Sequence, residues 1–207
     1  MDSIGRGGSR IFVLPVIRGL VSEAEEVERA IEETKPDALG ICISKEELRT
    51  LGTLGNQEAE PSSAHEEAYM KGLQKFGDVR KPPPCYSECI AVARRLRVPC
   101  MAVDMNEHLY TEAYCNFVSV VDVMKQTRDS RALVGKKFKA QSPGDFVLEF
   151  DAYVNRHNGF ERLEQERERY IALRLSKMAG KWSRVLSLIE VERADGVLKH
   201  LERLVPL

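Results

Sequence analysis

The chain has 207 residues, 43% hydrophobic and 30% charged, with a formal net charge of -1. That length builds one substantial domain with a sizeable core. The near-neutral balance excludes a generally basic nucleic-acid-binding surface, because there is no excess of cations to replace phosphate counterions. No window approaches the ~18–20 uninterrupted apolar residues of a membrane span. MDSIGRGGSR at the amino end has no apolar signal region, so a cytoplasmic protein without a membrane span or nucleic-acid partner is expected. The basic runs RRLR (residues 94–97) and GKKFK (residues 135–139) read as solvated faces.

Residues 1–9 read as a flexible leader, and residues 10–207 as a single domain. RIFVLPVI (residues 10–17) is the first strand, almost wholly apolar, as in a strand covered on both faces. Ser22 with Glu25 three residues on makes a capping-box pattern. Glu23, Glu25 and Glu26 suit the positive end of the following helix dipole, and Val27, Ala30 and Ile31 form its inward stripe. Lys35, Pro36 and Asp37 stop that helix, and ALGICI (residues 38–43) is the second strand. Ser44 and Glu47 repeat the capping-box pattern for a short helix. LGTLGNQEAEPSS (residues 51–63) is polar and aperiodic, which predicts a long mobile loop, either a lid over the sheet's carboxyl edge or a tolerated insertion.

Residues 65–76 are helical in pattern and are ended by KPPP, and residues 85–96 form a stronger helix. VPCMAVD (residues 98–104) is a third strand ending in an acid, followed by one helix over about 106–125. Pro143, Gly144 and Asp145 mark another helix start. Asn158-Gly159 separates it from a long charged helix over 160–178. WSRVLSLIEV (residues 182–191) is the fourth strand, and residues 195–204 form a closing amphipathic helix. This alternation predicts an α/β fold with a mostly parallel or mixed central sheet flanked by helices. Ligands bind such sheets at the carboxyl ends of the strands, which singles out Arg18 and residues 42–45, 104–107 and 190–193.

The five cysteines, Cys42, Cys85, Cys89, Cys100 and Cys115, are odd in number and dispersed. Cys85 and Cys89 are four apart rather than at the two-residue gap of zinc or redox motifs. No metal and no cofactor is expected. There is no Gly-x-Ser-x-Gly elbow, and the glycines at 5, 7 and 8 precede the first strand, so they form no dinucleotide fingerprint.

Several segments resemble one family in the same element order: EEVERAI (25–31), KPDALGI (35–41), VPCMAVD (98–104), ERERYIA (166–172) and DGVLKHL (195–201). Together they resemble the TraB family, which includes the pheromone-shutdown (PrgY-like) proteins and is distantly related to Tiki proteases, erythromycin esterases and ChaN-like proteins. The family pattern has a first strand ending Gly-Thr-x-His, a second strand ending Glu-Leu and an acid after the third. An Arg-Asp-containing helix and a Gly-x-Gly-His before the last helix complete it. At those positions this chain has Pro15 and Arg18, then Cys42, then Glu190, Glu192 and Arg193. Asp104, Glu166 and Arg167 are retained, and Glu168 stands for the aspartate.

The resemblance implies a hydrolase-like site that has lost its histidines and glutamate. Imidazole and carboxylate can ligate a metal or move protons, whereas arginine stays protonated and has no acceptor. The expected function is therefore a non-catalytic TraB-like domain, a soluble binding or interaction protein whose partner is another protein or a second copy. Tyr170, Leu173 and Leu175 on the long charged helix are the candidate dimer contact. One alternative is a metal-assisted hydrolase rebuilt from Asp104, Glu107, His108 and Glu192. The other is a sensor binding a small anionic ligand through Arg18 and Arg193 beside a helix amino end, against the simpler possibility that these arginines pair with Glu190, Glu192, Asp104 or Glu166.

Overall fold

The computed structural model describes residues 1–6, 8–54, 60–133 and 136–204. Its five strands are β1 (Asp2–Arg6), β2 (Ser9–Val16), β3 (Ala38–Ile41), β4 (Cys100–Ala102) and β5 (Arg184–Glu190). They form one sheet in the order β1-β2-β5-β3-β4. Every pairing is parallel except β1 with β2. The expected α/β architecture is thus the one observed. The leader expected over residues 1–9 is instead an edge strand, with Ile4 opposite Ile11 and packed on the core. One apolar residue anchors it and Gly8 at φ 87 serves its turn, a thin signal in sequence.

Nine helices follow among the described residues: α1 (Glu23–Thr34), α2 (Lys45–Leu54), α3 (Ala64–Leu73), α4 (Pro84–Leu96), α5 (Glu107–Phe117), α6 (Val120–Leu133), α7 (Pro143–Val154), α8 (Asn158–Ala179) and α9 (Val191–Leu204). The loop expected over 51–63 is shorter at both ends. Helix α2 continues to Leu54, α3 starts at Ala64, and residues 55–59 lie outside the described residues. The one helix expected over 106–125 is two. Ser119 Oγ accepts from the Asp122 amide at 3.2 Å while Asp122 accepts from the Ser119 amide at 3.1 Å. That is a reciprocal capping box, and it starts α6 afresh.

Alternation along the strands sorts the core into two layers. Leu14, Val16, Leu39, Ile41, Leu186 and Leu188 face α1 and α4, whereas Ile11, Val13, Ala38, Cys42, Val185 and Ile189 face α8 and α9. Gly40 lets α8 approach closely: a Cβ there would lie 2.9 Å from Ser187 Oγ and 3.4 Å from Leu175 Cδ2. A third apolar cluster, with Leu73, Leu133, Phe146, Val147 and Phe150 from α3, α6 and α7, packs on Ile17 and Leu20 just beyond the end of β2. These helices overhang the carboxyl edge of the sheet. No helix of the described residues is long and apolar enough to cross a membrane.

Candidate functional site

The carboxyl edge is assembled from six segments of the chain. At the end of β2 the chain turns through Arg18 and Gly19, whose φ of 102 favours glycine. A second segment is strapped onto this turn. The Arg80 amide donates to the Gly19 carbonyl at 2.8 Å, the Val21 amide to the Asp78 carbonyl at 3.0 Å, and Leu20 bridges Val79. The strap carries Arg80 and Lys81 to the edge. β5 ends there in Glu190, and α9 starts at once, placing Glu192 and Arg193 in its first turn. Asp104 follows β4. Glu164, Arg167 and Glu168 share one face of α8 at i, i+3 and i+4 spacing, and Asp151 comes from α7.

These groups form an ionic network that is largely buried, with Arg18 half exposed at its edge. Arg18 Nε lies 3.0 Å from Glu190 Oε1, to which the Tyr86 hydroxyl also donates at 3.4 Å. Arg167 holds Asp104 at 2.5 Å and Glu164 at 2.6 Å, with Glu190 at 3.9 Å. Arg193 lies against Asp151, 3.2 Å from Glu168 and 3.5 Å from Glu164. Arg193 and Glu190 are only 5% and 4% exposed. Ions so enclosed lose hydration worth several kcal/mol each, which attraction at short range offsets. Burial works against charge on Arg167, but Glu164, Asp104 and Glu190 outweigh it and raise its affinity for the proton.

Glu192 is the exception. Among the described residues no basic side chain lies within ion-pair distance of it, whereas each of the other five acids of the cluster holds a guanidinium. Burial, and then the neighbouring Glu190 charge, push its carboxyl from the ordinary 4.5 to about 7, with Arg18 opposing. Glu168 is also raised, by burial first, with Arg193 opposing.

The network floors a cavity of about 340 Å³ between the sheet edge and the overhanging helices, within the size range of small-ligand pockets. Arg18, Arg167, Glu190, Glu192 and Arg193 are at its base, and Val147, Phe150 and Val154 of α7 make an apolar wall. Its rim carries Ser62, His65, Arg80 and Lys81. Lys81 is tied to Glu66 at 2.7 Å. No ion pair is formed by Arg80 among the described residues, and it is exposed.

The arginines singled out as an anion site, Arg18 and Arg193, both line this cavity, and both already hold carboxylates. The four residues of the rebuilt hydrolase do not assemble. Asp104 is bound to Arg167, and Glu192 faces the cavity. Glu107 and His108 are exposed in a separate shallow depression with Cys115. The physical reason is local: Asn106, not Asp104 with Glu107, caps α5, its Oδ1 accepting from the Leu109 amide at 2.9 Å. Among the described residues no three His, Cys, Asp or Glu side chains converge as a metal site.

Pro15 pairs opposite Ile189 inside the sheet. Cys42 is 1% exposed, its Sγ 4.0 Å from Asp104, and burial pushes its thiol well up, so it offers no thiolate. Glu166 pairs with Arg169 away from the network. Leu175 is fully buried, which removes it from the expected dimer contact, whereas Leu173 and Tyr170 are half-buried, Tyr170 beside Leu163. In the RRLR run, Arg94 donates to the Gly52 carbonyl and Arg95 holds Glu28, as for a solvated face.

Sequence reading did not pick out Glu164, Asp151, Tyr86 or Arg80. Two of these had a helical signal: Glu164 falls in register with Ile171 and Leu175, and Asp151 with Val147. Arg80 had none, since its place depends on a strap between segments about 60 residues apart. Compared with known proteins, the chain matches no family model and no curated protein.

Proposed function

We propose that the chain is a TraB-like domain that acts by binding, with the cavity at the carboxyl edge as the site of a small polar molecule. The observation that carries this reading is the preformed cavity itself, floored by arginines that are already neutralised by carboxylates. Such a floor orients a ligand without offering an activated nucleophile or a set of metal donors. Screening small polar metabolites by thermal melt tests it, because a ligand specific to the folded state raises apparent stability by about 2.7 kcal/mol at a hundredfold excess over its Kd. Stabilisation lost in Val154→Trp, which fills the cavity wall, supports the reading. Stabilisation retained in that variant, or none with any compound, overturns it.

One observation favours a second reading. A carboxyl held near 7, as that of Glu192 is beside the arginine-paired Glu190, is suited to general acid–base work at neutral pH. Glu192 would then exchange a proton with a bound substrate. That reading requires turnover falling by about 10²-fold or more in Glu192→Gln, and turnover unchanged in that variant excludes it.

A further inference from the structure

We infer that the ligand of this cavity is a compact zwitterion of the amino acid type, with its protonated amine on Glu192 and its acidic group at Arg80. The inference rests on the binding reading above and adds the chemical class. It follows from which charges around the cavity remain unpaired. Arg18 holds Glu190, Arg167 holds Asp104 and Glu164, Arg193 holds Asp151, Glu164 and Glu168, and Lys81 holds Glu66. Among the described residues lining the cavity, this leaves one carboxylate at the base, Glu192, and one guanidinium at the rim, Arg80, without an ion-pair partner.

A simple anion fits poorly. It would compete with Glu190 or Asp151 for arginines already engaged, in a cluster whose acids Asp104, Asp151, Glu164, Glu168, Glu190 and Glu192 outnumber its three arginines. A bare metal cation finds only one free carboxylate. An ammonium group meets both conditions, since it satisfies Glu192 and reduces the excess negative charge next to Glu190. Its acidic end is then left for Arg80, which the Gly19 strap fixes beside Arg18. Between the two, Val147, Phe150 and Val154 offer apolar contact to a short carbon chain.

Titration calorimetry on the whole protein at pH 8 tests the assignment. The probes are L-valine, L-glutamine and β-alanine as zwitterions, putrescine as an amine without an acid, and glutarate as an acid without an amine. At least one zwitterion should bind more tightly than putrescine and glutarate. Its affinity should fall about tenfold or more in Glu192→Gln, as for a charge-assisted contact at a half-buried carboxylate, and about two- to fivefold in Arg80→Ala, as for an exposed pair. Binding by none of the zwitterions overturns the inference, as does tighter binding of glutarate or zwitterion affinity unchanged in Glu192→Gln. If polar metabolites other than zwitterions stabilise the protein and Val154→Trp abolishes that effect, the cavity remains a binding site and only the ligand class is wrong.

Discussion

Glu192 makes the clearest pH-dependent contribution of any single residue. Its folded-state pKa of about 7 stands above its ordinary 4.5, so the folded protein holds this proton more tightly than the unfolded chain. The ionised group therefore costs stability above pH 7. That cost is relieved as pH falls through 7 and is gone below 4.5. Glu192→Gln should stabilise the protein at pH 8 by about 2–3 kcal/mol. The difference between variant and wild type in urea melts should shrink towards zero at pH 4.5, and a constant difference across that range would show that the Glu192 carboxyl is not raised by its surroundings. Arg167 behaves oppositely. Arg167→Leu strands Asp104 without its cation and leaves Glu164 only the longer contact to Arg193, and should cost about 3–5 kcal/mol, read as a lower urea midpoint. The thiols give a third check. Cys115 is exposed and Cys100 partly so, while Cys42, Cys85 and Cys89 are buried and burial lifts Cys85 to about 12. A thiol reagent should titrate Cys115 first in the native protein, a phase lost in Cys115→Ser, and reach the three buried thiols only on unfolding.

The two capping-box patterns read from the sequence behave differently as helix elements. Ser44 and Glu47 form theirs reciprocally, at 2.9 and 3.1 Å. Ser22 makes no side-chain cap, because its backbone is already helical and Glu23 instead accepts from the Ile17 amide at 3.1 Å. Ser44→Ala should therefore cost about 1 kcal/mol and Ser22→Ala only a few tenths, measured by the same melts. Equal costs would contradict this geometry. Four of the five strands and the order of the helices were legible because buried strands and amphipathic helices carry their periods in the sequence. The starts of α6 and α9 were not. Ser119 with Asp122 is a cap inside a run that reads as continuous helix, and Val191 turns helical with no intervening loop residue. β1 was missed because an edge strand needs only one inward side chain.

Across the whole molecule, the sheet edge was locatable from sequence but its chemistry was not. The strand ends named Arg18, Asp104, Glu190, Glu192 and Arg193, all of which meet at the edge. Which of them pair depends on α7, α8 and the strap at residues 78–80, contacts that no local pattern encodes. Pairing is what separates Glu192 from the other acids at the floor of the cavity, each of which holds an arginine. The most direct test of binding as the function is a thermal melt against small polar metabolites, run on wild type and Val154→Trp with and without a metal chelator. The binding reading predicts an upward shift in wild type that the chelator leaves intact and Val154→Trp abolishes. A shift that requires a divalent metal, or no shift with any compound, would contradict it.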